Sequence, residues 1–338
     1  MVMSGSSHAY NFTITPFYDN VKYIIWHLLI PISNHSDGMV FMMNAKQLLF
    51  FKRTAELENM TKAADDLLVS QPFLSRVLSE LEAEIGVELF DHVGRRIVLN
   101  PCGKAFYKRV VNIFNEADDA VKEVRDIKQS QLTKLTIVTN VSLYMPSLLK
   151  MIADSNPDLA ISQYSARRNK IEKMILTGNA DFAICCPPLE YSTDLVSVEL
   201  LNEPGAIIYP SGHWLETVDE VEINDIKNET FIVVPRGFAT RDIIDTYMQR
   251  ESISPKILIE TADTASVFKY VKFGLGIALV PLSQVLLDPE FKNNYTKFKF
   301  NMSGRIDLIW RHGQYISESG RLFIEKSKEY FKSLAILD

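Results

Sequence analysis

Seven apolar residues, Phe106, Val110, Ile113, Ala117, Ala120, Val124 and Ile127, follow one another at spacings of four, three, four, three, four and three. A period of 3.5 sustained over three heptads describes one long helix with a narrow apolar seam, and the opposite face here is strongly charged. Asn100 and Pro101 open it as an N-cap and a first-turn proline, which loses nothing by lacking its N–H. Such a helix is about 40 Å long. It divides the chain into a short segment before it and a much longer one after it. A seam this narrow suits contact with an identical helix better than burial on its own chain. A dimer built on it sets two copies of the preceding segment side by side.

That preceding segment reads as helical. From Ala45, the positions Leu48, Phe51 and Ala55 predict one helix, and Thr61 is placed to cap a second over T-K-A-A-D-D-L-L with Ala63, Ala64 and Leu67 inward. Leu68 and Val69 make a tight connection to S-Q-P-F-L-S-R-V-L-S-E-L-E, residues 70–82, where Ser70 caps and Pro72 fits the first turn. In this third helix Phe73, Leu74, Val77, Leu78, Leu81 and Ile85 gather on one side. Gln71, Pro72, Ser75, Arg76 and Ser79 occupy the other. Small hydroxyls with a single guanidinium let a helix approach another surface closely, and two short helices joined by a few residues form the helix-turn-helix arrangement. The run V-E-L-F-D-H-V-G-R-R-I-V-L-N then predicts a hairpin around Gly94 with Arg95 and Arg96 at its tip. In that arrangement Lys62, Ser70 and the two hairpin arginines meet DNA phosphates. Gln71, Pro72, Ser75, Arg76 and Ser79 enter the major groove. Residues 43–130 carry 13 Lys and Arg against 14 Asp and Glu, a net of −1, so the argument rests on where the cations lie rather than on their sum. The alternative is an ordinary solvated face.

The remaining composition narrows the class. At 338 residues, 47% hydrophobic and 23% charged with net charge −6, the chain reads as an ordinary globular protein of two or three domains. Three cysteines, two of them adjacent at 185 and 186, make neither a disulfide framework nor a metal motif, and they fit a cytoplasmic setting. No cofactor and no metal are implied. Residues 21–31 form an apolar run too short to span a bilayer, and they lack the basic flank and cleavage site of a secretory signal. Residues 1–42 show no sustained period and read as a poorly ordered extension outside the fold; a short partner-binding segment is the alternative.

From residue 133 onward, strands and helices alternate, the mark of an α/β fold. L-T-I-V-T, I-S-Q-Y-S-A and D-F-A-I-C-C make one βαβαβ unit, and T-F-I-V-V-P, K-I-L-I-E-T and G-I-A-L-V-P make a second. Two similar halves imply a cleft. V-S-V-E-L-L and G-A-I-I-Y-P are separated only by residues 202–204, suited to one extended crossover. A second crossover near Ser303 returns I-D-L-I-W-R and a final helix, 318–334, to the first half. Subdomain I is thus expected over 131–203 and 303–338, and subdomain II over 204–302, after a DNA-binding domain over 43–100 and a linker helix over 101–130. Strand ends place Thr139, Asn140, Ser142 and Cys186 on one side of the cleft, with Arg236, Thr240, Arg241 and Thr264 opposite. Hydroxyls facing an arginine suit a carboxylate or another small anion. The adjacent cysteines read as core thiols rather than a redox pair, because neighbouring residues close a strained disulfide.

The stretch from A-A-D-D-L-L through S-Q-P-F-L-S-R-V-L-S-E-L-E-A-E-I-G-V-E-L-F-D-H-V-G-R-R-I-V-L-N-P-C-G resembles the winged-helix signature of the LysR-type transcriptional regulators. G-N-A-D-F-A-I, F-K-Y-V-K-F-G-L-G-I-A-L-V-P and I-D-L-I-W-R resemble the same family's effector domain, which has the periplasmic-binding-protein architecture. The resemblance implies a cytoplasmic regulator acting on double-stranded promoter DNA, self-associating as a dimer or tetramer, controlled by a small-molecule effector and independent of membranes. Two departures stand out. Leu78, Ser79 and Glu80 lie where the family usually carries basic or amide residues, and Cys102 lies where alanine is usual. The rival classes are an enzyme or solute-binding protein using the same cleft, and a nucleoid-associated structural protein. Against catalysis, the chain has no Gly-x-Ser-x-Gly elbow, HExxH or Walker loop.

Overall fold

The computed structural model describes residues 43–94, 96–128, 134–287, 291, 293–299 and 303–335; the expected extension over 1–42 lies outside these. The described residues fall into two compact units that divide between Phe114 and Asn115.

In the first unit, α1 (Ala45–Leu57) begins with a capping box: Asn44 Oδ1 accepts from Gln47 N at 3.0 Å, and Asn44 N donates back to Gln47 Oε1 at 2.9 Å. α2 (Met60–Asp66) starts two residues earlier than Thr61 would have it. Asn59 is the cap, its Oδ1 accepting from Lys62 N at 3.0 Å. α3 (Gln71–Ile85) is capped by Ser70, whose Oγ accepts from Phe73 N at 3.4 Å, and ends on Gly86 in the left-handed region. Phe51, Ala63, Leu74 and Leu81 form the centre of its core. The hairpin is β1 (Phe90–Val93) antiparallel to β2 (Arg96–Leu99). α4 (Pro101–Ile127) follows, with Asn100 Oδ1 accepting from Gly103 N at 2.8 Å. A Cβ on Gly103 would fall 1.9 Å from the Leu89 carbonyl, so only glycine lets this helix start against the hairpin.

The second unit holds an eight-stranded mixed sheet, among the described residues, built around one long strand. β3 (Leu135–Thr139), α5 (Met145–Ser155), β4 (Ile161–Ser165), α6 (Arg168–Leu176) and β5 (Phe182–Cys185) give the first half, with β3 parallel to both β4 and β5. β6 (Leu195–Ile208) is one unbroken 14-residue strand where sequence suggested two strands around a crossover. β7 (Glu220–Val221), β8 (Thr230–Val233), α7 (Ala239–Arg250), β9 (Lys256–Glu260), α8 (Thr264–Lys272), β10 (Ala278–Pro281), α9 (Leu282–Leu287) and β11 (Tyr295–Phe298) make the second half. β12 (Ser303–Arg311) returns antiparallel to β6 and β5, and α10 (Glu318–Ala335) packs back on the first half.

β6 therefore belongs to both halves. Residues 195–204 pair with β12, whereas Gly205–Ile208 pair with β10 and Ala206–Ile208 with β11. The polypeptide between the halves is extended and hydrogen-bonded on both strands that cross, with Gly304 opposite Glu203. Phe182, Leu308, Phe323 and Phe331 centre the core of the first half; Ile207, Phe231 and Ile277 centre one core of the second.

Candidate functional site

On the first unit, the outer face of α3 is bare as its residue types predict. Gln71, Pro72, Arg76 and Ser79 are exposed and Ser75 is half-buried, while Leu74, Val77, Leu78 and Leu81 hold the opposite face to the core. Ser70 is exposed at the N-terminal end of that face, where helix N–H groups attract phosphate oxygens, and Lys62 is exposed in the first turn of α2. Arg96 is exposed on the hairpin; Arg95 lies outside the described residues. Arg76 is held along the helix rather than swinging free: its guanidinium carbon sits 5.4 Å from the Phe73 ring centre, and its Nε stands 3.5 Å from Glu80 Oε1. Lys46 shares the same ring, with Nζ at 5.0 Å. Phe73 thus gathers two cations beside the start of α3. Lys46 was invisible to sequence reasoning because it belongs to α1, and only the tertiary packing of α1 on α3 brings it there.

On α4, the seam separates by position. Val110 is fully buried, whereas Ile113, Ala117, Ala120, Val124 and Ile127 are exposed, the last at 75% of its accessible surface. An apolar row left open along a helix is an interaction surface rather than a core face.

On the second unit, a cavity of about 340 Å³ lies between the two halves of the α/β fold, within the size range of small-molecule sites. Of the residues expected there, Asn140, Ser142, Cys186, Thr240 and Thr264 line it. Asn140 pins two strand ends together: its Oδ1 accepts from Cys186 N at 3.0 Å and its Nδ2 donates to Cys186 O at 2.7 Å. Ser142 Oγ lies 2.7 Å from Ser165 Oγ at the exposed edge.

Three expected residues are placed elsewhere. Thr139 is fully buried, its Oγ1 donating to Ile184 O at 2.7 Å and accepting from Val141 N at 2.9 Å, so it closes the end of β3 instead of facing the cleft. Arg241 points back into the second half. Its Nε donates to Asp245 Oδ1 at 2.8 Å and its Nη1 to Glu260 Oε2 at 2.9 Å, which braces α7 against β9. Arg236 is 81% exposed and reaches Asp245 at 3.2 Å. The arginines whose presence suggested an anion are committed to carboxylates of their own half.

What sequence reasoning missed is the floor. Glu203, only 6% exposed, comes from the middle of β6 and lines the cavity. Its Oε1 accepts from Ser283 N at 2.9 Å, and Ser283 Oγ lies 3.2 Å from the Tyr144 hydroxyl. Burial and the charge of Glu203 push the Tyr144 phenol well above its usual range. The signal was present as a carboxylate inside the short crossover between two apolar runs. Burial likewise pushes the thiols of Cys185 and Cys186 up to about 12, leaving them protonated and unreactive.

The chain matches the family model "Bacterial regulatory helix-turn-helix protein, lysR family" over residues 45–104, and "LysR substrate binding domain" over residues 129–332. Among curated proteins it is 26% identical over 287 residues to an uncharacterised HTH-type transcriptional regulator, YybE of Bacillus subtilis, covering 83% of this chain and 97% of that protein. It is 25% identical to the HTH-type transcriptional regulator SsuR of Burkholderia cenocepacia, over 73% of this chain and 82% of that one. Among solved structures, full-length OxyR from Pseudomonas aeruginosa aligns at TM-score 0.62 with 19% identity, over 88% of this chain and 96% of that one. Full-length CbnR complexed with its target DNA aligns at TM-score 0.54 with 20% identity, over 85% and 100%. No described helix is long and apolar enough to cross a membrane. Matched by both family models, the chain belongs to the LysR family: it is a DNA-binding transcriptional regulator with a C-terminal effector-binding domain.

Proposed function

We propose that residues 43–100 read promoter DNA, that residues 101–130 join two copies through the open seam of α4, and that a small molecule held between residues 131–203 with 303–338 and residues 204–302 controls the assembly. Gln71, Pro72, Ser75, Arg76 and Ser79 enter the major groove; Lys62, Ser70, Arg95 and Arg96 contact phosphates. Asn140, Ser142, Cys186, Thr240 and Thr264 contact the effector. The protein works in the cytoplasm, where the DNA is, and its cleft binds rather than catalyses. The observation that carries this reading is the pairing of a small-residue reading face on α3 with an uncovered heptad row on α4 in one continuous segment, since paired reading helices recognise paired half-sites.

The test is a footprint of the full chain on the DNA flanking its own gene. Protection of two half-sites about one helical turn apart, or a multiple of it, supports the reading. Uniform coating without preferred sites would instead indicate a structural DNA-binding protein. A second arm fills the cavity with Thr264→Trp. That variant is expected to bind the half-sites normally and to lose its response to effector.

A further inference from the structure

The chemistry of the cavity is lopsided. Two carboxylates line it, Glu203 on the floor and Asp263 at the mouth, and none of its described lining residues is Lys, Arg or His. The walls between them are apolar, with Phe238, Ile243, Val267 and Phe268 prominent. Asp263 is the N-cap of α8; its Oδ2 accepts from the Ser266 hydroxyl at 2.5 Å, which with the adjacent backbone N–H groups holds its carboxyl below the usual carboxylate range. It is therefore an anion throughout the neutral range. The arginines nearest in sequence, Arg236 and Arg241, are turned onto Asp245 and Glu260 and line none of the cavity.

We propose that the effector of this regulator is a small organic cation, an amine whose ammonium group is drawn to Glu203 and whose apolar body packs between Phe238 and Phe268. The proposal rests on the reading of this cleft as the effector site and adds the charge class of the ligand. An anion entering the cavity would meet two carboxylates with no Lys, Arg or His among the described lining residues to offset them. An ammonium meets the opposite balance. Beside Glu203, which is only 6% exposed, it gains more from a carboxylate than it would at the surface.

Phenethylamine, phenylacetate and phenylacetamide share one apolar body and differ in charge, so they separate the possibilities when titrated into the full-length protein by calorimetry and thermal unfolding. The amine is expected to bind and raise the unfolding midpoint. Glu203→Gln, which keeps an oxygen to accept from Ser283 N, should weaken the amine by at least about tenfold, as for loss of one partner of a buried charge pair. Asp263→Asn, on an exposed cap that folding tolerates, should weaken it by a few-fold. Should Glu203→Gln fail to fold, the Asp263→Asn comparison still decides. Equal or tighter binding of phenylacetate or phenylacetamide, an amine indifferent to both variants, or no binding by phenethylamine or by a panel of alkyl amines would overturn the cation. If phenylacetate binds wild type and Thr264→Trp abolishes it, the cleft stands as the effector site and only its charge class is wrong. If amine binding survives Thr264→Trp, the cleft reading itself falls.

Discussion

Lys122 Nζ lies 2.7 Å from Asp181 Oδ1, and the other oxygen of the same carboxylate accepts from Thr136 N at 2.8 Å. One aspartate thereby ties α4 to the first strand of the α/β domain. It is not alone. Asn115 Nδ2 donates to Leu176 O at 2.9 Å, Asp119 is ion-paired with Arg311, and Asp126 Oδ2 accepts from the Tyr315 hydroxyl and from Glu318 N, both at 3.2 Å. Positions 115, 119, 122 and 126 repeat the four-three spacing, so the second half of α4 carries a polar row fixed to its own domain beside the apolar row that stays open. Gly178 allows the approach, because a Cβ there would fall 2.5 Å from Asn115 Oδ1. The fixed period of a helix lets one element serve two partners.

The polar row should be worth more than its hydrogen bonds suggest. Asp119 and Arg311 are 9% and 12% exposed, so Asp119→Ala leaves a nearly buried guanidinium uncompensated and is expected to cost about 3–5 kcal/mol. Lys150 and Asp154 form an ion pair on α5 at 74% and 64% exposure, and Asp154→Ala is expected to cost under about 1 kcal/mol. Urea denaturation of the two variants measures the contrast. Similar losses would mean that the row is decoration rather than attachment.

The open row makes the complementary prediction. Ala117 and Ala120 are exposed in the single chain, so replacing both with aspartate should leave the thermal midpoint of the α/β domain unchanged. It should also convert the dimer into monomers with much weaker DNA binding. Sedimentation and mobility shift report the two effects. A normal dimer from that double variant would place self-association elsewhere.

The thiols give a prediction with a sign. Burial holds Cys185 and Cys186 up at about 12, while an unfolded thiol titrates near 8.5. Between those values the unfolded chain has released protons that the folded chain retains, so their contribution to stability falls as pH rises from about 8.5 toward 12. In native protein at pH 8, iodoacetamide should label exposed Cys102 and spare both others until denaturant is added. Prompt native labelling of Cys186, read by peptide mass spectrometry, would contradict its placement and reopen a redox role.

How much of this was written in the sequence differs by kind of feature. The three N-terminal helices, the hairpin and the two βαβαβ units are periodic and locally punctuated, and they emerge where the pattern predicts. The cap of α2 was misplaced from Asn59 to Thr61 because both residue types cap well and only the fold decides between them. β7 and β11 went unseen, being short and secured by neighbours rather than by pattern. In the cleft, the end of each strand was legible but the direction of each side chain was not. Arg241 sits at the right strand end and turns away, because Asp245 one turn along and Glu260 on β9 compete for it. Glu203 was passed over as part of a crossover, and continuous pairing with β12 made it the floor of a cavity.

Arg76 provides the sharpest test of the reading helix. Its contact with Glu80, at 3.5 Å with both side chains more than half exposed, is worth at most about 1 kcal/mol, less than the roughly 1–3 kcal/mol of a bidentate contact to guanine. The guanidinium should therefore leave Glu80 on binding, steered by the Phe73 ring toward the groove. Arg76→Ala is expected to cost about 1–3 kcal/mol on the specific site and to relax preference at one base position in each half-site. Lys62→Ala should weaken every sequence alike and lower the salt slope by about one unit, since a phosphate contact carries no sequence information. Glu80→Gln, which removes the competitor, should leave specific binding equal to wild type or tighter. Measuring all three against specific and random DNA at several salt concentrations separates the roles. If Arg76→Ala weakens both DNAs equally, Arg76 is a phosphate clamp, and the small polar face around it serves close approach rather than reading.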